Sequence, residues 1–367
     1  MVLLETERNS LLTPLAATVG VVEKRHTLPI LSNVLLQRQN GRLSLLATDL
    51  ELQVSTALEG KPGEDFSITV AARKLFDIVR ALPEDAKVKL DSKDSQVEVK
   101  AGKSKFTLQT LPSADFPRME TGAGVTGEVT LPQKTLRHLL QLVQFAMAQQ
   151  DIRYYLNGML LVLDATTLRV VATDGHRLSL AETRLEKAGP QKEVIIPRKT
   201  VIELSKLLQE TEDPVTLRVG ENQVTIELGS TQLVSKIVDG KFPDYQRVVP
   251  VGHDKNLVVN RQMASQALQR AAILSNEKFR GVRLVMSANS LNVVCNNNEQ
   301  EEAQEEIEAK YSSEPLDIGF NVTYLQDGLN ALSAEEVTLS FSDPNSSMLL
   351  TTETEPGFKY VVMPMRI

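Results

Sequence analysis

Apolar positions along the chain follow two periods in turn, and the same cycle of periods runs three times. Leu12, Leu15, Ala16 and Val19 stand at i, i+3, i+4 and i+7. So do Leu136, Leu139, Leu140 and Val143, and again Ala264, Ala267, Leu268 and Ala271. That spacing lays apolar side chains on one helical face. Two strands are expected after each helix, at 34–38 and 43–47, at 158–163 and 168–172, and at 282–286 and 291–295. A second helix in each cycle is marked by Leu75, Ile78, Val79 and Leu82, by Val201, Leu204 and Leu208, and by Leu325, Leu329 and Leu332. Pro197 suits the start of its helix, where a missing N–H loses no helical partner. Three strands of period two close each cycle, among them Val88/Leu90, Val224/Ile226/Leu228 and Val337/Leu339/Phe341. Period two gives each strand one buried face.

The cycles share a sequence as well as a pattern. Residues 170–182 read V-V-A-T-D-G-H-R-L-S-L-A-E, with Asp174-Gly175 as a hairpin turn between alternating apolar runs. Residues 45–55 (L-L-A-T-D-L-E-L-Q-V-S) and 293–302 (V-V-C-N-N-N-E-Q-E-E) repeat that stretch. A steady step over the whole chain means tandem copies of one unit. The expected fold is α+β, three tandem helix/antiparallel-sheet domains at 1–125, 126–252 and 253–367. The links 121–127 and 250–255 are short, so the domains are expected to be packed in a fixed arc.

The chain has 367 residues, enough for each third to bury its own core. No apolar run approaches the ~20 residues of a membrane helix, and the acidic N-terminal stretch does not read as a signal peptide. The single Cys295 cannot form an internal disulfide, which fits a cytoplasmic protein. The four His are scattered, so no metal site and no cofactor are expected. A net charge of −7 argues against a body coated in nucleic acid but leaves room for a local basic surface.

Asp174, His176 and Ser179 raise the question of a hydrolase, yet Ser179 falls on the opposite strand face from the other two. There is no G-x-S-x-G elbow, phosphate loop or H-E-x-x-H. Basic residues recur near helix ends, at Arg25, Arg73, Lys74, Lys134, Arg137, Arg198, Lys199 and Arg270, while the helix at 322–332 has none. Residues 149–155 (Q-Q-D-I-R-Y-Y) gather amides, an Arg and two Tyr that suit phosphates and stacked bases; equally, the rings could cover the core. Lys100, Lys103 and Lys105 flank Phe106 and Leu108, and Glu299, Glu301, Glu302, Glu305, Glu306 and Glu308 cluster late in the chain. Opposite charges at opposite ends suit a head-to-tail contact, though each run also reads as a solvated strand edge.

With these residues in view, the chain resembles the bacterial β sliding clamps, the processivity subunits of DNA polymerase III. The resemblance rests on T-L-P-I-L (27–31), R-Y-Y-L-N-G-M-L (153–160), A-T-D-G-H-R-L (172–178), V-D-G-K-F-P-D-Y (238–245), A-I-L-S-N-E-K-F-R-G-V-R-L (272–284) and Y-V-V-M-P-M-R (360–366), which span all three repeats. It implies a clamp with no enzymatic activity, a homodimer closed head to tail into a ring around double-stranded DNA and held by topology rather than base readout. By the resemblance, Arg25, Arg73, Gln150, Tyr154 and Tyr155 occupy DNA-contact positions. Lys105, Phe106, Leu108, Ile273, Leu274 and Glu302 occupy the dimer contact. A partner-peptide cleft between the second and third domains maps to Leu156, Thr173, Gly175, His176, Arg177, Leu178, Pro243, Arg247, Val248, Asn321, Tyr324, Ser347, Val361, Val362, Met363, Pro364, Met365 and Arg366. The implied partners are DNA polymerases, the clamp loader, ligase and mismatch-repair proteins. Asn345 departs from the family, and its position implies a more polar cleft; Ile367 ends the chain where Leu is familiar. The rival readings are a monomeric DNA-binding module and the Asp174/His176 hydrolase.

Overall fold

Ten elements repeat three times in the same order. The computed structural model describes residues 1–23, 28–60, 63–120, 124–186, 189 and 191–367. The first repeat is β1 (Val2–Glu7), α1 (Arg8–Val19), β2 (Asn33–Gln39), β3 (Arg42–Thr48), β4 (Leu52–Leu58), β5 (Phe66–Ala71), α2 (Ala72–Ala81), β6 (Lys87–Lys93), β7 (Gln96–Ala101) and β8 (Ser104–Gln109). The second is β9 (Gly127–Pro132), α3 (Gln133–Val143), β10 (Gly158–Asp164), β11 (Thr167–Thr173), β12 (Arg177–Arg184), β13 (Lys192–Pro197), α4 (Arg198–Leu207), β14 (Pro214–Val219), β15 (Gln223–Leu228) and β16 (Thr231–Lys236). The third is β17 (Lys255–Asn260), α5 (Arg261–Ala271), β18 (Gly281–Ser287), β19 (Ser290–Asn296), β20 (Glu302–Glu308), β21 (Leu316–Asn321), α6 (Val322–Ala331), β22 (Glu336–Phe341), β23 (Met348–Thr351) and β24 (Lys359–Val362).

The expected helices and closing strands are present. The strands that open each repeat were not foreseen, because β9 and β17 alternate over only two apolar positions each, Val129/Leu131 and Leu257/Val259. Helix starts follow local chemistry. The Asn260 side chain accepts the Met263 N–H at 3.0 Å to open α5, and Asn321 accepts from Thr323 at 2.9 Å to open α6.

The chain divides into two compact units. One, residues 1–136 with 202–237, holds a four-stranded sheet β1-β6-β7-β8 and an eight-stranded sheet β5-β2-β3-β4-β16-β15-β14-β9. The other, residues 137–201 with 238–367, holds an eight-stranded sheet β13-β10-β11-β12-β24-β23-β22-β17 and a four-stranded sheet β20-β19-β18-β21. The cut falls inside the middle repeat because each eight-stranded sheet joins four strands of one repeat to four of the next. The joins are β4 to β16 and β12 to β24, both antiparallel.

The hairpin turn repeats in its hydrogen bonds. Thr48 Oγ1 accepts the Leu50 N–H and Asp49 Oδ1 accepts from Glu51 and Leu52. Thr173 Oγ1 likewise accepts from Gly175, and Asp174 Oδ1 from His176 and Arg177. Thr173 pairs with Leu178, so four residues lie between the paired positions rather than a two-residue Asp-Gly turn. The Asp carboxylate takes over the donors that a tighter turn would have paired itself.

The period of two misleads at β10. Its residues Gly158 to Leu163 are all buried. The segment carrying Phe242 and Tyr245 folds over its outer face, making a second core with Leu160, Val162, Val171, Leu178, Leu180, Ile195 and Val361. A strand covered on both sides shows no alternation. In α6, a Cβ on Gly328 would lie 2.5 Å from the ring of the fully buried Tyr360. Gly328→Ala is expected to cost about 1–3 kcal/mol by overpacking, read as a lower urea midpoint. All six tyrosines lie in this second unit and there is no tryptophan, so tyrosine fluorescence follows its unfolding.

Candidate partner-binding cleft

Arg177 organises the cleft from below. Its side chain is 10% exposed and donates from Nε to Asp174 at 3.1 Å, from Nη1 to Asp327 at 2.5 Å and from Nη2 to the Phe145 carbonyl at 2.7 Å. The guanidinium lies 4.5 Å from the Tyr324 ring centre and 5.5 Å from that of Phe145. Burial works against the cation, but Tyr360, Asp327 and Asp174 outweigh it and hold the pKa above the usual arginine range. Burial pushes the Tyr360 phenol well above its ordinary value, and the phenol donates to the Tyr324 carbonyl at 2.9 Å. Thr173 Oγ1 closes the hairpin by donating to the Arg177 carbonyl at 2.6 Å.

Above this frame lies a cleft of about 170 Å³ lined by Arg153, Leu156, Thr173, Gly175, Arg177, Leu178, Pro243, Val248, Val361 and Met363. Gly175 has φ +89°, and a Cβ there would meet the Arg153 guanidinium at 3.0 Å. Arg153 is held across the rim by Asp151 at 2.9 Å and by the Asp174 carbonyl at 3.2 Å. The Arg153 side chain, joined by its backbone N–H, holds the Asp151 carboxyl down at about 2. The Met363 N–H donates to the His176 carbonyl at 2.9 Å, extending the β12–β24 ladder to the cleft mouth. The lining is mostly apolar with a few fixed polar groups, the composition of a ligand site.

Nine of the eighteen residues expected in the cleft line this cavity: Leu156, Thr173, Gly175, Arg177, Leu178, Pro243, Val248, Val361 and Met363. The other nine do not. Val362 is fully buried on the opposite face of β24 from Val361. Tyr324 lies beneath Arg177, and Asn321 spends its acceptor capping α6. The Arg247 side chain is 88% exposed and paired with Asp244 at 3.0 Å. The Ser347 carbonyl is the acceptor for His253 Nε2. His176, Pro364, Met365 and Arg366 belong to the exposed hairpin tip and the tail, where the Met365 N–H donates to the Gly319 carbonyl. Asn345 is exposed, its N–H on Asp343, so it does not make the cleft polar. Two contributors were missed. Arg153 stands in a stretch whose sequence shows only a polar loop, and Asp327, the one charged residue in α6, reaches Arg177 from 150 positions away.

The hydrolase arrangement does not assemble. Ser179 is buried and donates to the Leu142 carbonyl at 2.6 Å, while Asp174 is committed to backbone N–H groups and Arg177.

The candidate DNA contacts divide. Arg25 lies outside the described residues. Arg73 is exposed and donates to the Val22 carbonyl at 2.7 Å. Gln150 is exposed with φ +56°. Tyr155 packs on the second core, and Tyr154 stands 58% exposed in an edge-to-face pair with it at 5.9 Å. The core-covering reading therefore holds for one tyrosine and not the other.

The candidate dimer residues sit on two sheet edges and a turn. β8 and β20 are the outermost strands of the two four-stranded sheets. On β8, Phe106 is 37% exposed and Leu108 is buried. Lys105 pairs with Glu98 at 2.7 Å and, together with Lys100, holds that carboxyl near 2. Glu302 is exposed on β20, Ile273 is 78% exposed after α5, and Leu274 is half-buried.

Comparison with known families gives three consecutive matches: the DNA polymerase III beta subunit N-terminal domain at residues 2–120, its central domain at 130–244 and its C-terminal domain at 246–366. The beta sliding clamp of Pseudomonas putida is 48% identical over 363 residues, covering 98% of this chain and 99% of that one. The Escherichia coli K12 protein of the same name is 46% identical over 362 residues, with the same coverage. Among solved structures, the Pseudomonas aeruginosa DNA polymerase sliding clamp superposes with a TM-score of 0.94 at 46% identity over the whole of both chains. The same clamp bound to griselimycin gives 0.95 at 46% identity over 99% of each.

Proposed function

Because this chain belongs to the DNA polymerase III beta subunit family, the sliding clamps, we propose that two copies close around duplex DNA and tether a polymerase through the cleft beneath Met363. The chain is a sliding clamp, a processivity factor without enzymatic activity. Its three tandem domains are taken to run 1–125, 126–252 and 253–367.

The observation that carries ring closure is the sheet join. β4 of the first repeat pairs with β16 of the second, Leu52 opposite Ser235. β12 of the second pairs with β24 of the third, Arg177 opposite Val362. One rule made both joins, and it leaves β20 and β8 open. Applied a third time between two copies, it sets Ala303 opposite Phe106 and Glu302 opposite Thr107. Lys105 and Glu302 then bring opposite charges to the seam, with Ile273 and Leu274 covering Phe106. A heterologous contact of this kind closes a ring when two copies complete it. Leu108 supports the seam from inside its own sheet.

Arg25, Arg73, Gln150, Tyr154 and Tyr155 are assigned to the DNA, meeting phosphates rather than base edges. The apolar cleft suits the apolar side chains of a short extended peptide. Clamp loader, ligase and mismatch-repair proteins are proposed to share it with the polymerase, in the cytoplasm. The deciding experiment loads the protein on nicked circular DNA with loader and ATP, then cuts the circle. Retention on the circle at moderate salt and release after cutting are expected; equal retention on both would refute encirclement.

A further inference from the structure

The join between β4 and β16 repeats the geometry of the join that carries the cleft, and the same hollow opens beside it. A groove of about 520 Å³ is lined by Thr48, Leu50, Pro117 and Lys236, among others. Counting from the shared strand registers, these stand where the cleft has Thr173, Gly175, Pro243 and Met363. The F-P step recurs too, Phe116-Pro117 for Phe242-Pro243, and both phenylalanines are buried.

The two hollows differ in what covers the sheet. Phe242 and Tyr245 belong to a buried apolar cluster of nine residues beside the cleft, whereas Phe116 belongs to a cluster of three, with Leu35 and Leu46, against which Ile30 packs. Gln53 replaces Leu178, and its Oε1 accepts the Met119 N–H at 2.8 Å. The rest of the sheet face stays open as a trough of about 730 Å³, sharing Arg118 and Met119 with the groove. Among the described residues, its lining includes Gln37, Gln39, Gln232, Arg42 and Arg118 and no Asp or Glu. Two carboxylates reach lining residues from outside: Asp65 accepts the Asn40 N–H at 3.1 Å, and Glu227 accepts from Gln232 at 3.1 Å. Arg118 donates to the neutral Gln37 at 2.7 Å, and neither Arg42 nor Arg118 is in an ion pair among the described residues.

We infer that this trough is a second protein-docking surface, one that takes an extended acidic segment of a clamp-binding protein. The amides can pair with the segment's backbone groups, and the two arginines meet its carboxylates with charge-assisted, fork-shaped hydrogen bonds. An apolar peptide that suits the cleft would gain nothing from the two arginines and would cover them from water, so the two sites select different sequences.

The test uses the full-length protein and a fluorescein-labelled ten-residue peptide of alternating Glu and Gln, followed by anisotropy at low salt. Binding is expected, weakened roughly ten-fold or more in R42A/R118A, only partly recovered in R42K/R118K and unchanged in the cleft variant M363A. No binding by the parent protein, or equal binding by R42A/R118A, would overturn the inference. So would a parallel loss of affinity for a linear DNA duplex in R42A/R118A, which would make the trough a nucleic-acid surface.

Discussion

Ile273→Lys will turn the dimer into a folded monomer. Ile273 is 78% exposed in the single chain, so it contributes almost nothing to the fold, and the proposed seam is what would bury it. It follows the last turn of α5, where a cation suits the helix dipole. At the seam, the substitution removes a buried apolar side chain, about 1.5–3 kcal/mol in full burial. It also sets an ammonium against β8, which carries Lys105 and follows directly on Lys103. A ring of two copies has two seams, so each loss counts twice. At about 2 kcal/mol per seam the dissociation constant rises roughly a thousand-fold. Sedimentation equilibrium reads this directly, and an unaltered dimerisation constant would remove Ile273 from the contact. Phe106→Ala and Leu108→Ala are poorer probes. Leu108 is part of the sheet core, and its truncation costs fold stability whatever it does to the dimer.

The architecture was legible because it was written three times. Helix faces at 12–19, 136–143 and 264–271 could be checked against one another, and the threefold pattern also flagged the turn at Thr48, Thr173 and Asn296. Covered surfaces were harder to read. The run at β10 is apolar at nearly every position, and no periodicity reports that residues 242–245, some eighty positions later, close over it. The cleft was half legible for a related reason. Strand alternation assigns Val361 and Met363 to one face and Val362 to the other, yet a contiguous stretch carried over from relatives includes all three. Asp327 escaped because its role depends on a residue 150 positions away, although a lone charge in an otherwise neutral helix is itself a signal.

Arg177→Ala will destabilise the second unit by about 2–3 kcal/mol and abolish peptide binding at the cleft. Breaking a buried ion pair by removing one partner costs roughly 3–5 kcal/mol, and two features moderate that figure here. The Asp327 side chain is 34% exposed, so water takes up part of its charge. Asp174 keeps the backbone N–H of His176. Against this, the stacked contacts with Tyr324 and Phe145 disappear, as does the hydrogen bond to the Phe145 carbonyl. Arg177→Lys will recover little, because an ammonium cannot fork between two carboxylates and a carbonyl while lying flat on a ring. The hairpin carrying Thr173, Gly175 and Leu178 then loses its anchor, and with it the cleft wall. Tyr324 and Tyr360 flank the site, so tyrosine fluorescence in urea reports the loss where it occurs. Anisotropy with a labelled, short extended peptide carrying apolar side chains reports the function. M363A separates the two effects: Met363 lines the cleft but is 46% exposed, so its truncation should weaken the peptide while leaving the core and the Arg177 network intact. An Arg177→Ala protein with the parent's urea midpoint and peptide affinity would show that the cleft is held open by its apolar walls alone, with the buried cation a bystander.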